Sequence, residues 1–182
     1  SGTLTANSYK LRYTGKGKPA SDKVTIKAQQ TQQTSNDASH IGADGDCGTA
    51  TATKNGGRYE FALDHKAAYL TFTPFYCLEE LDNSVTIESI MVSANENLAG
   101  TFNFNDDGIQ TASVTSPSKR VTLSLGGGFN IPYSIDYAKC AAIMVVAPGT
   151  YTNFTVEYHL RDSETGVTGT VSKTYPSVKL NA

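Results

Sequence analysis

The sequence has no tryptophan, two methionines, three cysteines and few charges, with Asp, Glu, Lys and Arg making up 18% of its residues. Each scarcity removes a class of protein. Fifteen basic and seventeen acidic residues nearly cancel, for a net charge of −2, so there is no basic field to hold a nucleic acid backbone. The two local basic runs, Lys16-Gly17-Lys18 and Lys119-Arg120, are too short to build one and read as solvated loop cations. No apolar run approaches the about 18 residues of a membrane-spanning helix. The opening residues carry no signal-peptide pattern. Few segments combine Leu, Ala, Glu and Lys as a helix would.

Reactive motifs are equally scarce. There is no G-x-S-x-G, so no nucleophile elbow is expected. The histidines His40, His65 and His159 each lie near a carboxylate in sequence (Asp37, Asp64, Glu157), but no nucleophile is placed to complete a Ser-His-Asp arrangement. His65 reads as a turn or packing residue and His159 as exposed on a strand. Asp37, Asp44 and Asp46 could gather at a calcium ion, yet they lack the regular spacing that ends in a bidentate Glu. The triple glycine 126–128 is followed by no Lys-Ser/Thr and is no phosphate cradle. Cys47, Cys77 and Cys140 are too far apart for a zinc ribbon. Three thiols cannot all pair within one chain, which leaves one disulfide with a free thiol, or three thiols buried as small hydrophobes. Cys140 precedes an apolar run and reads as buried. The residues point to no catalytic group, no metal site and no cofactor.

What is present is threonine, serine, glycine and asparagine, and an alternation of period two. Its densest stretch is Arg58–Pro74. Tyr59, Phe61 and Leu63 alternate with Arg58, Glu60 and Ala62, and after Asp64–Lys66 the alternation resumes through Phe72. This spacing predicts two half-buried strands around a corner, with the rest of the fold packed on them. Further strands are expected at Tyr9–Tyr13, Asp22–Ala28, Cys47–Lys54, Val85–Ala94, Ala99–Phe104, Gln110–Val114, Val121–Leu125, Asn153–Leu160 and Gly169–Tyr175, the last limited by Pro176. The apolar faces of Val85–Ala94 change sides near Ser89, which predicts a bulge or bend there. Gly126–Gly128 interrupts the pattern, and Ala141–Ala147 reads as a central strand covered on both faces.

About ten short strands separated by turns indicate an all-β sandwich or barrel. No linker splits the chain, so residues 1–182 are expected to form one domain. Residues 1–8 are expected to fray, and residues 29–46 to form a long polar loop, either functional or mobile.

Three pieces in order carry a family resemblance. They are His40–Ala52 (HIGADGDCGTATA), then Phe61–Phe72 (FALDHKAAYLTF) with Ile87–Gly100 (IESIMVSANENLAG), then Ala141–Tyr158 (AAIMVVAPGTYTNFTVEY). Together they resemble the Bacteroidales fimbrillin group, the major-pilin and adhesin-like surface proteins, over residues 24–175. The resemblance implies a two-sheet transthyretin-like β-sandwich. It implies export as a lipoprotein to the outer membrane and cell surface, with membrane attachment only through a lipid anchor on the precursor. In that family a cut after a basic residue releases a first strand, and a strand from the next subunit fills the groove. Arg12 is the best match for such a processing site, and Lys10 the runner-up. An exposed cation on an edge strand is the plainer reading of Arg12.

Fimbrillins usually carry two sandwich domains, and this chain has the length of the first. It is therefore expected to be either the N-terminal half of a longer precursor or a one-domain relative, and it shows no identifiable C-terminal donor strand. The expected function is binding and strand-exchange assembly without catalysis, with other pilin subunits or a host or bacterial surface receptor as partners. The alternative is a non-polymerising carbohydrate- or protein-binding module of a surface lipoprotein.

Overall fold

The computed structural model describes residues 4–19, 21–76 and 84–182. The fold is all-β. In chain order the first strands are β1 (Ser8–Tyr13), β2 (Lys23–Ile26), β3 (Gln29–Gln32), β4 (Gly48–Asn55), β5 (Arg58–Glu60), β6 (Asp64–His65) and β7 (Ala68–Phe72). There follow β8 (Val85–Ser93), β9 (Ala99–Asn105), β10 (Gly108–Ser118), β11 (Arg120–Asn130), β12 (Ala142–Val146), β13 (Gly149–Asp162) and β14 (Thr168–Leu180). The described helices are single turns, α1 (Ile41–Asp44) and α2 (Tyr137–Cys140).

The expected pair of sheets is divided into four. The largest runs β14-β13-β8-β11-β3, with β3 parallel to β11 and the other neighbours antiparallel. A second runs β10-β9-β2, a third pairs β12 with β7, and a fourth runs β1-β4-β5, with β6 also on β4. Alternation decides which face turns inward. Ile87, Ile90 and Val92 of β8, Phe102 and Phe104 of β9, and Phe154 and Val156 of β13 are buried in one core with Leu123, Met144 and Tyr151. Each such side chain contributes roughly 1.5–3 kcal/mol on leaving water. The face change near Ser89 is a bulge. His159 pairs with Ser89 but Leu160 pairs with Ile87, so Glu88 is the extra residue.

Several expectations are corrected. In Arg58–Pro74 the first strand stops at Glu60, Phe61 is 60% exposed, and Asp64-His65 forms its own short ladder with β4. The core is centred on β8, β9 and β12, and β5 lies at a sheet edge. The triple glycine does not end its strand. β11 continues through it by looping out residues between Ser124 and Phe129, with Gly127 and Gly128 at positive φ. Pro176 does not end β14 either, because an edge strand can place the missing N–H away from its one ladder. Residues 5–7, expected to fray, are held. The Thr5 and Ala6 amides donate to the Tyr9 hydroxyl, and the Lys54 amide donates to the Asn7 carbonyl.

Residues 29–46 are not one polar loop. They contain β3 and α1, and Gln30 and Gln32 are each 1% exposed. The reason is a side-chain ladder. Gln30 Nε2 donates to the Val145 carbonyl (2.7 Å) and Gln30 Oε1 accepts from the Val145 amide (3.0 Å). Gln32 does the same with the Ala141 carbonyl (2.9 Å) and the Ile143 amide (2.8 Å). The two amide groups satisfy the edge of β12 that faces away from β7, which keeps its buried backbone paired.

Candidate functional site

The sequence-predicted site residue, Arg12, lies in β1. Among the described strands it pairs with β4 alone, from Ser8 opposite Thr53 to Tyr13 opposite Gly48. Its alternation places Tyr9, Leu11 and Tyr13 on a half-buried face and Ser8, Lys10 and Arg12 outward. Arg12 Nε donates to Asp106 Oδ1 at 2.6 Å, which ties β1 to the turn between β9 and β10. Lys10 Nζ donates to Thr51 Oγ1 at 3.0 Å. At the start of the strand the Tyr9 and Tyr59 rings meet edge to face at 5.4 Å, and the Tyr59 hydroxyl donates to the Ala6 carbonyl at 2.5 Å. The amide of Ala6, donating to the Tyr9 hydroxyl, holds that phenol below its usual pKa. The bond after Arg12 therefore sits inside a ladder, and a protease reaches it when β1 opens locally.

At the other end of the chain, β14 is an edge strand of 13 residues paired with β13. Its residues 168–177 are exposed on both faces. Val171 and Tyr175 lie opposite Tyr158 and Phe154 yet remain 58% and 44% exposed. Lys173, Lys179 and Pro176 blunt this edge against indiscriminate pairing.

A polar cluster stands where α1, β4, β6 and β7 meet. Gly45, at φ 134°, passes so close to β2 that an added Cβ would lie 2.6 Å from Ile26 Cα. This turn delivers Asp46 to the interior. Asp46 Oδ1 accepts from His65 Nδ1 at 2.9 Å and from the Tyr69 hydroxyl. Burial first, then the bond to Asp46, pushes the Tyr69 phenol well above its usual range. Neighbouring Cys47 is fully buried, and burial, reinforced by Asp46, pushes its thiol up to about 12. Such a thiol stays protonated at neutral pH and is no nucleophile. Among the described residues the cluster has an Asp and a His but no hydroxyl bonded to His65 Nε2, and it fastens β7 to the start of β4 rather than forming a catalytic triad.

The remaining candidates disperse. Asp37 accepts from the Ser39 amide, Asp44 pairs with Lys27 at 3.0 Å, and Asp46 is taken by His65 and Tyr69. The three carboxylates proposed for calcium thus face three different partners. Among the described residues, no three His, Cys, Asp or Glu side chains gather as metal ligands do. His40 Nε2 lies 2.9 Å from the Ile143 carbonyl, and His159 stands 3.8 Å from Glu157. Cys47 and Cys140 are both buried free thiols, and Cys77 lies outside the described residues. Cys140 donates to the Asp136 carbonyl at 3.0 Å, and burial raises its pKa. No described helix is long and apolar enough to cross a membrane.

No protein-family model, no curated protein and no solved structure matches the chain. Sequence reasoning missed Gln30 and Gln32, and it weighed Asp46 as a calcium ligand rather than as the partner of His65 and Tyr69. The alternation of Gln30 and Gln32 was a strand signal, hidden by their polarity.

Proposed function

We propose that this chain is a cell-surface subunit of the fimbrillin kind, built on a transthyretin-like sandwich, which acts by binding and strand-exchange assembly without catalysis. The observation that carries the reading is β1, an amphipathic six-residue strand held by one ladder, with a basic residue in its last turn of alternation. Release of β1 uncovers the β4 edge over residues 48–53 and the surface beneath Tyr9, Leu11 and Tyr13. A strand of like alternation from a second subunit restores both, main-chain bonds giving affinity and side-chain positions giving register. Each regained backbone hydrogen bond contributes about 0.5–1.5 kcal/mol net. The exposed strand β14 supports the same reading, since it is held by β13 with little burial of its own. Export, surface display and a lipid anchor on the precursor belong to this proposal.

The second reading, a binding module that does not polymerise, is favoured by the ties on β1. Arg12 with Asp106 and Tyr9 with Tyr59 both resist release of the strand. Limited trypsin digestion followed by size-exclusion chromatography separates the two. Assembly predicts a cut at Arg12 or Lys10 and then oligomers, whereas a cut product that stays monomeric favours the binding module.

A further inference from the structure

A cleft of about 430 Å³ opens between Tyr76 and the segment that follows β11, and its wall includes Asn130, Tyr133, Ser134, Asp136 and Lys139. We infer that this cleft binds a neutral saccharide. Three observations carry the inference, and none depends on strand exchange.

The first is the aromatic corner. The Tyr76 and Tyr133 rings stand 5.6 Å apart at 77°, so they form two adjoining walls rather than a stack. Tyr133 is 60% exposed. The Tyr76 amide donates to the Pro132 carbonyl at 3.1 Å, which fixes one wall to the other. A pyranose presents a face of C–H groups to such a ring and hydroxyls at its rim. A tyrosine matches that split, with an apolar body and a polar tip.

The second is the supply of polar groups. The Asn130 side-chain amide, the Ser134 hydroxyl and the hydroxyls of Tyr76 and Tyr133 make no protein hydrogen bond among the described residues. Uncommitted donors and acceptors around an apolar wall orient a ligand rich in hydroxyls.

The third is charge. Asp136 and Lys139 lie 3.4 Å apart and balance each other, and Asp136 also accepts from the Ala138 amide. Among the described residues the charged groups that line the cleft thus cancel, and nothing there selects a phosphate or a sialylated sugar. A proline-rich peptide would use aromatic walls too, but it has few hydroxyls for these groups to meet.

The test uses the uncut chain on an array of neutral oligosaccharides, followed by saturation-transfer NMR with the best-retained sugar. A proline-rich decapeptide is run beside it. Neutral oligosaccharides are expected to be retained, and Tyr133→Ala should weaken retention roughly tenfold or more, with Tyr133→Phe, which keeps the ring and loses the hydroxyl, falling between it and the parent. The thermal midpoint of Tyr133→Ala should match the parent, because the ring is largely exposed. The inference is overturned if no neutral oligosaccharide is retained, if retention survives Tyr133→Ala, or if only the proline-rich peptide binds. Because β1 remains in place throughout, failure here leaves the assembly reading untouched, and failure of assembly leaves this cleft untouched.

Discussion

Arg12 Nε and Asp106 Oδ1 stand 2.6 Å apart although the residues are separated by 94 positions, so the first strand is pinned to the turn between β9 and β10. A partly exposed pair of this kind contributes about 0.2–1 kcal/mol. Removing it therefore shifts local opening of β1 by a small factor. Asp106→Asn is expected to speed tryptic cleavage after Arg12 by about 1.5- to 5-fold, with little change in the thermal midpoint. A mass-spectrometric time course reads the rate, and an unchanged rate would show that the ion pair does not guard the bond.

The glutamine ladder makes a larger claim on stability. Gln30→Leu leaves the Val145 amide and carbonyl buried without partners. At about 1–3 kcal/mol for each unsatisfied group, a loss of roughly 2–6 kcal/mol is expected by urea denaturation. Gln33→Leu, next to the same strand but exposed, should change stability by no more than about 0.5 kcal/mol. Equal effects of the two substitutions would contradict the structural role given to Gln30.

Glycine is required at Gly45 for two reasons at once. Its φ is 134°, and a Cβ would meet Ile26 Cα at 2.6 Å, a backbone atom that cannot turn aside. Gly56 also has positive φ, at 59°, but has open space around it. Gly56→Ala should cost about 1–2 kcal/mol from backbone strain alone. Gly45→Ala should cost at least about 3 kcal/mol, because β2 and the turn before Asp46 must move apart. Thermal melts of the pair check the difference.

Alkaline pH should destabilise the fold. Burial pushes Tyr151 and Cys47 each up to about 12. Both are acids whose folded pKa lies above the unfolded value, so the unfolded chain loses the proton first. Their contribution is whole below the unfolded pKa values, near 8.5 for Cys and about 10 for Tyr, and fades as pH rises toward 12. The urea midpoint should fall between pH 8 and 10.5, and Cys47→Ala should flatten the early part of that fall. A midpoint independent of pH over this range would contradict the burial assigned to both groups.

The β-rich class was legible because inward residues alternate. Phe102 and Phe104, and Phe154 and Val156, are spaced by two and are buried as expected. The bulge beside Ser89 was legible for the same reason, since a change of face needs an extra residue. Gln30 and Gln32 were not, because a pattern based on hydrophobicity cannot see a polar side chain that buries itself by pairing with a backbone edge. Phe61 misled in the opposite sense. It keeps the alternation of Tyr59, but the ladder with β4 stops at Glu60 and leaves the ring exposed. The division into four sheets depends on strand pairings such as β3 beside β11, which bring together residues remote in sequence. The site region was legible only as Arg12. The tie from Arg12 to Asp106 and the corner of Tyr76 and Tyr133 both join distant segments that no local pattern connects.

Re-addition of the first strand tests the central claim most directly. The chain is cut with trypsin after Arg12, the released segment is removed, and a synthetic peptide with the sequence of residues 4–12 is titrated in by fluorescence anisotropy. Strand exchange predicts saturable binding of the peptide, suppression of oligomers as it binds, and loss of binding when Leu11 of the peptide is replaced by Asp. A cut chain that stays monomeric and takes up no peptide would contradict assembly through the β4 edge.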